Sequence, residues 1–103
     1  MANKSMGILI EYELKGDEAE WRSAVDAFVS NIDADPRLQG RFSYTVVARG
    51  DDGGRVHIGQ WDEEETLAHL QSQPWFKEFA QALQALAGGT LSTSRFRHVA
   101  TTS

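Results

Sequence analysis

The residues best suited to chemistry gather between His57 and Phe79, in the run H-I-G-Q-W-D-E-E-E-T-L-A-H-L-Q-S-Q-P-W-F-K-E-F. His57 and Trp61 stand four apart in a β-rich stretch, so they share one sheet face, with Gly59 between them. A glycine there leaves space over the sheet, for a ligand, a bulge or a closely packed helix. Imidazole is the side chain whose ordinary pKa suits accepting a proton near neutral pH. The chain offers His57, His69 and His98. Trp61 carries an indole N–H that needs a partner when buried. Tyr12 and Tyr44 join apolar bodies to hydroxyl tips that could donate to a ligand oxyanion, and Trp75, just after Pro74, could line a cavity mouth. A base, donors for an anion and apolar walls are what proton transfer in a dry cavity requires.

Each of these residues also has a plainer reading. His69 fits an exposed or boundary histidine. His98, with Arg95 and Arg97, fits the polar, solvent-facing side of a strand. The tyrosines fit sheet-face packing, and Trp21 falls on a core stripe with no assigned role. Glu63, Glu64 and Glu65 suit a helix N-terminus and its dipole. They do not converge two carboxylates on one point, and the dispersed histidines lack ligand spacing, so no metal site is read.

The elements that must position these groups follow from periodicity. Met6, Ile8, Ile10, Tyr12 and Leu14 alternate as a first strand, ended by Gly16. Asp17 with Glu20 resembles an N-terminal capping pair for a helix over 17–34, whose buried stripe is Trp21, Val25, Phe28, Val29 and Ile32. Arg41 to Arg49 reads as a second strand, Gly50-Asp51-Asp52-Gly53-Gly54 as a hairpin loop, and Arg55 to Trp61 as a third strand. Asp62, with Glu65, is expected to cap a second helix. Pro74 starts a third helix with Phe76, Phe79, Leu83 and Leu86 on its apolar face, and Gly88-Gly89 stops it. Thr90 to Ala100 reads as a fourth strand, with 100–103 frayed.

The order β-α-β-β-α-β is the ferredoxin-like pattern, an α+β class with an antiparallel sheet whose usual strand order is 4-1-3-2. The helices cover one sheet face. The other is expected to carry either Met6, Ile8 and Ile10 with Val56 and Ile58, or the alternate set. Neither set is fully polar, so a homodimer packing sheet against sheet is expected.

At 103 residues the chain reads as one domain, 1–103, with an ordered core of about 6–99. No cysteine is present, which removes disulfides, thiolate metal sites, cysteine nucleophiles and iron–sulfur clusters. The net charge of -5 without a basic cluster argues against nucleic acid and anionic membrane surfaces as partners. No apolar run approaches the roughly 18 residues of a membrane span, and no secretory signal is visible, so the expected location is cytoplasmic.

The order of elements, Gly40 followed by Phe42 and Tyr44, and above all Gln60-Trp61 followed by His69, Phe76 and Phe79 resemble the antibiotic biosynthesis monooxygenase domain family. The resemblance spans about Met6 to Val99. It implies a dimeric α+β barrel in which each subunit keeps a ligand cavity between its own sheet and helices. It further implies a cofactor-independent monooxygenase acting with O2 on an aromatic or polyketide-type phenol. The alternative is a non-catalytic small-molecule binding or dimerisation domain of the same fold. On this resemblance His69 is the expected base, with His57 second. Trp61, Tyr12, Tyr44, Gly59 and Trp75 are the expected substrate contacts. The family also has a haem-cleaving branch. Counted without gaps from Trp61, its helical Trp would fall at Leu70 and its ligating His at Ala80, and neither is present.

Overall fold

The computed structural model describes residues 4–50 and 53–102. The elements are β1 (Met6–Glu13), α1 (Glu18–Ala34), β2 (Phe42–Arg49), β3 (Gly54–Trp61), α2 (Glu64–Gln71), α3 (Pro74–Ala87) and β4 (Ser92–Arg97). Every strand pairing is antiparallel, and the order across the sheet is β2-β3-β1-β4, the order expected of the ferredoxin-like pattern. Asp51 and Asp52 of the expected hairpin loop lie outside the described residues.

Helix α1 forms as its caps direct. The Asp17 carboxylate accepts from the Glu20 backbone N–H at 2.9 Å, and Trp21, Val25, Phe28 and Ile32 bury their stripe against the sheet. Helix α3 begins on Pro74 and ends at Gly88, whose φ of 56° is the left-handed conformation that glycine adopts freely. Helix α2 departs from expectation at its start. Asp62 is not its cap: Glu63 holds that position without a side-chain bond, while the Asp62 carboxylate is taken by Thr66 Oγ1 and Arg41 Nε. The carboxylate is thus engaged by the Arg41 guanidinium, the Thr66 hydroxyl and the Glu63 backbone N–H. The fourth strand is also shorter than the 90–100 expected, because only Ser92 to Glu11 through Arg97 to Met6 find register with β1.

Register decides which side chains meet the helices. Ile8 pairs with Gly59, Ile10 with His57 and Met6 with Trp61, so these six face α1 and α3 together with Tyr12, Phe42 and Tyr44. Val56 and Ile58 pair with Glu11 and Leu9 and point the other way. The expected grouping of Met6, Ile8 and Ile10 with Val56 and Ile58 is therefore corrected, since antiparallel pairing places directly opposed residues on one face. The outer face carries Leu9, Val47, Val56, Ile58 and Phe96. Phe96 lies across Gly7, where a Cβ would come within 2.1 Å of its ring.

Candidate active site: an apolar cavity backed by a buried histidine

A cavity of about 190 Å³ lies between the sheet and the helices. That is somewhat more than the roughly 150 Å³ of apolar space known to admit benzene. Its walls come from every layer: Ile8 and Ile10 of β1, Tyr44 of β2, Trp61 of β3, Leu70 of α2, Phe79 and Leu83 of α3 and Arg95 of β4 all contribute. Aromatic packing holds this wall. Phe28 stacks on Phe79 with centroids 4.0 Å apart and meets Tyr44 edge-on at 5.0 Å, while Trp61 lies parallel to Phe42 at 6.0 Å.

The lining side chains with polar hydrogens are Tyr44, Trp61, Gln71, Gln84, Thr93 and Arg95, and three of them have distinctive surroundings. Trp61 is fully buried and its Nε1–H has no acceptor among the described residues. Buried indole N–H groups ordinarily find one. The Tyr44 hydroxyl lies 2.6 Å from His57 Nδ1. The Arg95 guanidinium carbon sits 5.2 Å from the Trp61 ring centroid, within cation–π range, on the cavity side of β4. No carboxylate and no imidazole stands among the described lining residues.

His57 is fully buried behind Tyr44, and its second nitrogen, Nε2, lies 2.7 Å from the Tyr12 hydroxyl. Tyr12 in turn accepts from Trp21 Nε1 at 2.6 Å. Arg55 lies over the Trp21 ring at 4.6 Å and reaches Glu18 at 2.6 Å. Burial disfavours charge on both members of the His57–Tyr44 pair. It pushes the imidazole down to about 4 and the Tyr44 phenol upward, with Tyr12 adding to the latter. Burial also raises Tyr12, although the Trp21 bond and Arg55 oppose it. The pair is therefore neutral across the physiological range.

Of the residues expected from sequence, Trp61 and Tyr44 line the cavity, and Tyr12 and His57 stand directly behind Tyr44. The others lie elsewhere. His69 is not in the lining: its Nε2 is 2.7 Å from Asp35 Oδ2, tying α2 to the end of α1. Burial pushes the Asp35 carboxyl up, but the His69 bond and the Arg37 backbone N–H outweigh it and hold it below its ordinary value. His69 thus bridges α2 and the end of α1. Trp75 packs edge-on against Phe28 at 5.7 Å, outside the cavity lining. Gly59 does not open onto free space either. A Cβ there would meet Tyr44 Cδ1 at 3.3 Å, with Phe42 Cζ and Ile8 Cγ2 at 3.4 Å. The glycine thus lets two aromatic rings of β2 lie close over β3, which is the close-approach reading.

Two residues with roles here carried weak sequence signals. Arg95 read as solvent-facing, yet its register opposite Ile8 turns it to the helix side. Trp21 read as core, and the overlooked clue was its indole N–H on a buried stripe, which demanded an acceptor. Leu70 and Ala80, where the haem-cleaving branch would have its Trp and ligating His, both lie in the cavity wall and present only hydrocarbon.

Comparison with solved structures places this architecture. A mutant of SnoaB, a cofactor-independent oxygenase from Streptomyces nogalater, superposes with a TM-score of 0.77 at 22% identity, over 96% of this chain and 97% of that one. Rv0793 from Mycobacterium tuberculosis gives 0.76 at 14% identity, over 95% and 98%. An antibiotic biosynthesis monooxygenase gives 0.72 at 15% identity, over 92% and 99%. The fold is that of the antibiotic biosynthesis monooxygenases. No family model and no curated protein matches the chain. In this chain the cavity lies between sheet and helices, and its polar lining comprises Tyr44, backed by His57, with Trp61, Gln71, Gln84, Thr93 and Arg95.

Proposed function

We propose that the protein is a cofactor-independent monooxygenase that oxidises an aromatic or polyketide-type phenol with O2 in this cavity. The observation that carries the reading is an apolar cavity whose lining includes Trp61, with an indole N–H unpartnered among the described residues, together with Tyr44 and Arg95. An unmet buried donor costs about 1–3 kcal/mol, which a ligand acceptor that reached it would recover. Donors and a cation around hydrocarbon walls suit a flat ring system bearing an oxyanion.

The chemistry these residues support is anion stabilisation rather than proton abstraction by a side chain. The substrate enol or phenol loses its proton to water at the cavity mouth, because the hydrogens of Trp61, Tyr44 and Arg95 lower its pKa. The electron-rich ring carbon then reduces O2, and a C–O bond forms to give a peroxide. The peroxide takes the released proton back, and loss of water, made from its outer oxygen, that proton and the hydrogen remaining on the ring carbon, leaves the inner oxygen as a new carbonyl. Four electrons reach O2, two for the inserted oxygen and two for the water, all from the substrate. Oxygen uptake across naphthols and hydroxyanthrones tests the reading. At least one member should consume one O2 per quinone formed, at a rate well above its autoxidation. If members of the panel bind in the cavity and none turns over, the domain is a small-molecule binder.

The assembly expected is a homodimer through the outer sheet face. Leu9, Val47, Val56, Ile58 and Phe96 lie there with no helix of the chain over them, and Val47 is 43% exposed. A second copy of the same sheet offers a matching surface. Sedimentation at micromolar concentration should give twice the chain mass, and Ile58→Lys should shift it to monomer. A wild-type monomer at that concentration would remove the dimer from the proposal.

A further inference from the structure

Four core side chains form a line of hydrogen bonds from α1 to the cavity. The links are Trp21 Nε1 to Tyr12 Oη at 2.6 Å, Tyr12 Oη to His57 Nε2 at 2.7 Å, and His57 Nδ1 to Tyr44 Oη at 2.6 Å. An indole N–H only donates, so the first link runs from Trp21 to Tyr12. A neutral imidazole has one N–H and one bare nitrogen, and each of its nitrogens here faces a tyrosine hydroxyl. Four groups thus bring one hydrogen each to three links, and one hydrogen is left over.

Its position depends on the tautomer. If Nε2 is bare, Tyr12 donates to it, Nδ1–H donates to Tyr44, and the spare hydrogen is that of the Tyr44 hydroxyl in the cavity wall. If Nε2 carries the hydrogen, the Tyr12 oxygen accepts twice and its own hydroxyl hydrogen is stranded. Tyr12 is 3% exposed and meets no further acceptor among the described residues. Stranding a buried donor disfavours that arrangement by roughly ten- to a hundredfold in population. Tyr44 is half-buried and lines the cavity, so there water or a ligand oxygen can accept the spare hydrogen, whereas at buried Tyr12 neither can. Successive donation along the line also polarises the last hydroxyl, making it a better donor. Burial keeps His57 and Tyr44 uncharged, so the count of hydrogens holds at neutral pH.

We propose that this one-way line makes Tyr44 the donor that selects an oxygen acceptor on the ligand, with Trp21, Tyr12 and His57 as positioning residues that turn its hydrogen toward the cavity. The inference rests on the cavity being the ligand site. It adds that His57 acts through Tyr44 and does not take the substrate proton, and that the ligand oxygen at Tyr44 is a carbonyl or an oxyanion.

Two measurements on the full chain test it. The first needs no ligand: ¹⁵N NMR of the histidine rings at pH 7 should show His57 protonated on Nδ1 and bare on Nε2. The second compares the affinity of 1-tetralone, which carries a carbonyl, with that of tetralin, which has no polar group. Wild type should favour 1-tetralone by roughly tenfold or more. Tyr44→Phe should abolish that preference while leaving tetralin binding unchanged. Tyr12→Phe keeps Tyr44 but removes the donor to Nε2, so it should shift the His57 tautomer and reduce the preference. An Nε2–H tautomer in wild type overturns the line even if 1-tetralone binds well, and it stands whether or not a variant folds. An Nδ1–H tautomer with neither probe bound overturns the ligand-selecting role and the cavity reading together. A full preference retained in folded Tyr12→Phe overturns the positioning role.

Discussion

Trp61→Phe is expected to lower turnover of a true substrate by about 10²–10³-fold, the usual effect of removing one donor to a developing oxyanion. The same change should alter stability little. Phenylalanine can keep the parallel stacking on Phe42, where the planes lie 6° apart. It also removes a buried N–H that finds no partner among the described residues. The relief of that unmet donor and the loss of contacts from the second indole ring are each about 1–3 kcal/mol and oppose one another. Steady-state oxygen uptake and urea unfolding on the same samples read both halves. Turnover equal to wild type would mean that the substrate does not use the indole N–H. His69→Ala supplies the contrast. It lies outside the cavity and breaks the bond to Asp35, so it should weaken the fold and leave kcat/KM within a few-fold. A loss of the 10²–10⁴-fold typical of a missing general base would return His69 to the reaction. The pH–rate profile gives an independent reading, because with no imidazole in the lining the rising limb should follow each substrate's own ionisation.

The second large effect is on stability against acid, and it resides in His57. Its folded pKa is about 4, against an ordinary value near 6.5, because burial resists the charged ring. As pH falls below about 6.5 the unfolded chain takes up a proton that the folded chain refuses. Stability is therefore full above that pH, declines down to about 4, and stops declining on this account below it. A depression of that size corresponds to about 3 kcal/mol. The carboxylates act in a lower window. Asp35 and Asp62 are held below their ordinary values by His69 and by Thr66 and Arg41, against the opposing effect of burial, so their contribution is lost only as pH drops below about 4. Urea unfolding from pH 7 to 4 should show the His57 loss first. His57→Gln, which has no titrating group, should flatten that segment and leave the steeper fall below pH 4. A wild-type curve flat between pH 6.5 and 4 would show that His57 is hydrated or charged in the folded state.

The assignments in this chain divide according to the range over which they are encoded. The elements were legible because their signals are local. The Asp17–Glu20 pair, the four-spaced stripe from Trp21 to Ile32, Pro74 at a helix start and the alternation of Met6 to Tyr12 each declare themselves within a few residues. Their order was enough for the sheet order and the fold class, since few arrangements of β-α-β-β-α-β bury both helices. Trp61 and Tyr44 were expected as ligand contacts from the family resemblance, and both line the cavity.

What the tertiary structure alone decided depends on register and on partners far apart in sequence. Pairing Ile8 with Gly59 and Arg95 set which residues share the helix-facing side, and a shift of one residue would have reversed it. That register brought Arg95 into the cavity wall and closed the space over Gly59 with the rings of Phe42 and Tyr44. His57 and His69 are the same residue type with the same intrinsic chemistry, and only their neighbours separate them. Tyr12 lies 45 positions from His57, and Asp35 lies 34 from His69. One histidine is buried between two hydroxyls and stays neutral, while the other holds a carboxylate between two helices. Pairings at such separations leave no periodic trace along a single chain, because a pKa and a hydrogen-bond direction belong to the surroundings of a side chain and not to its identity.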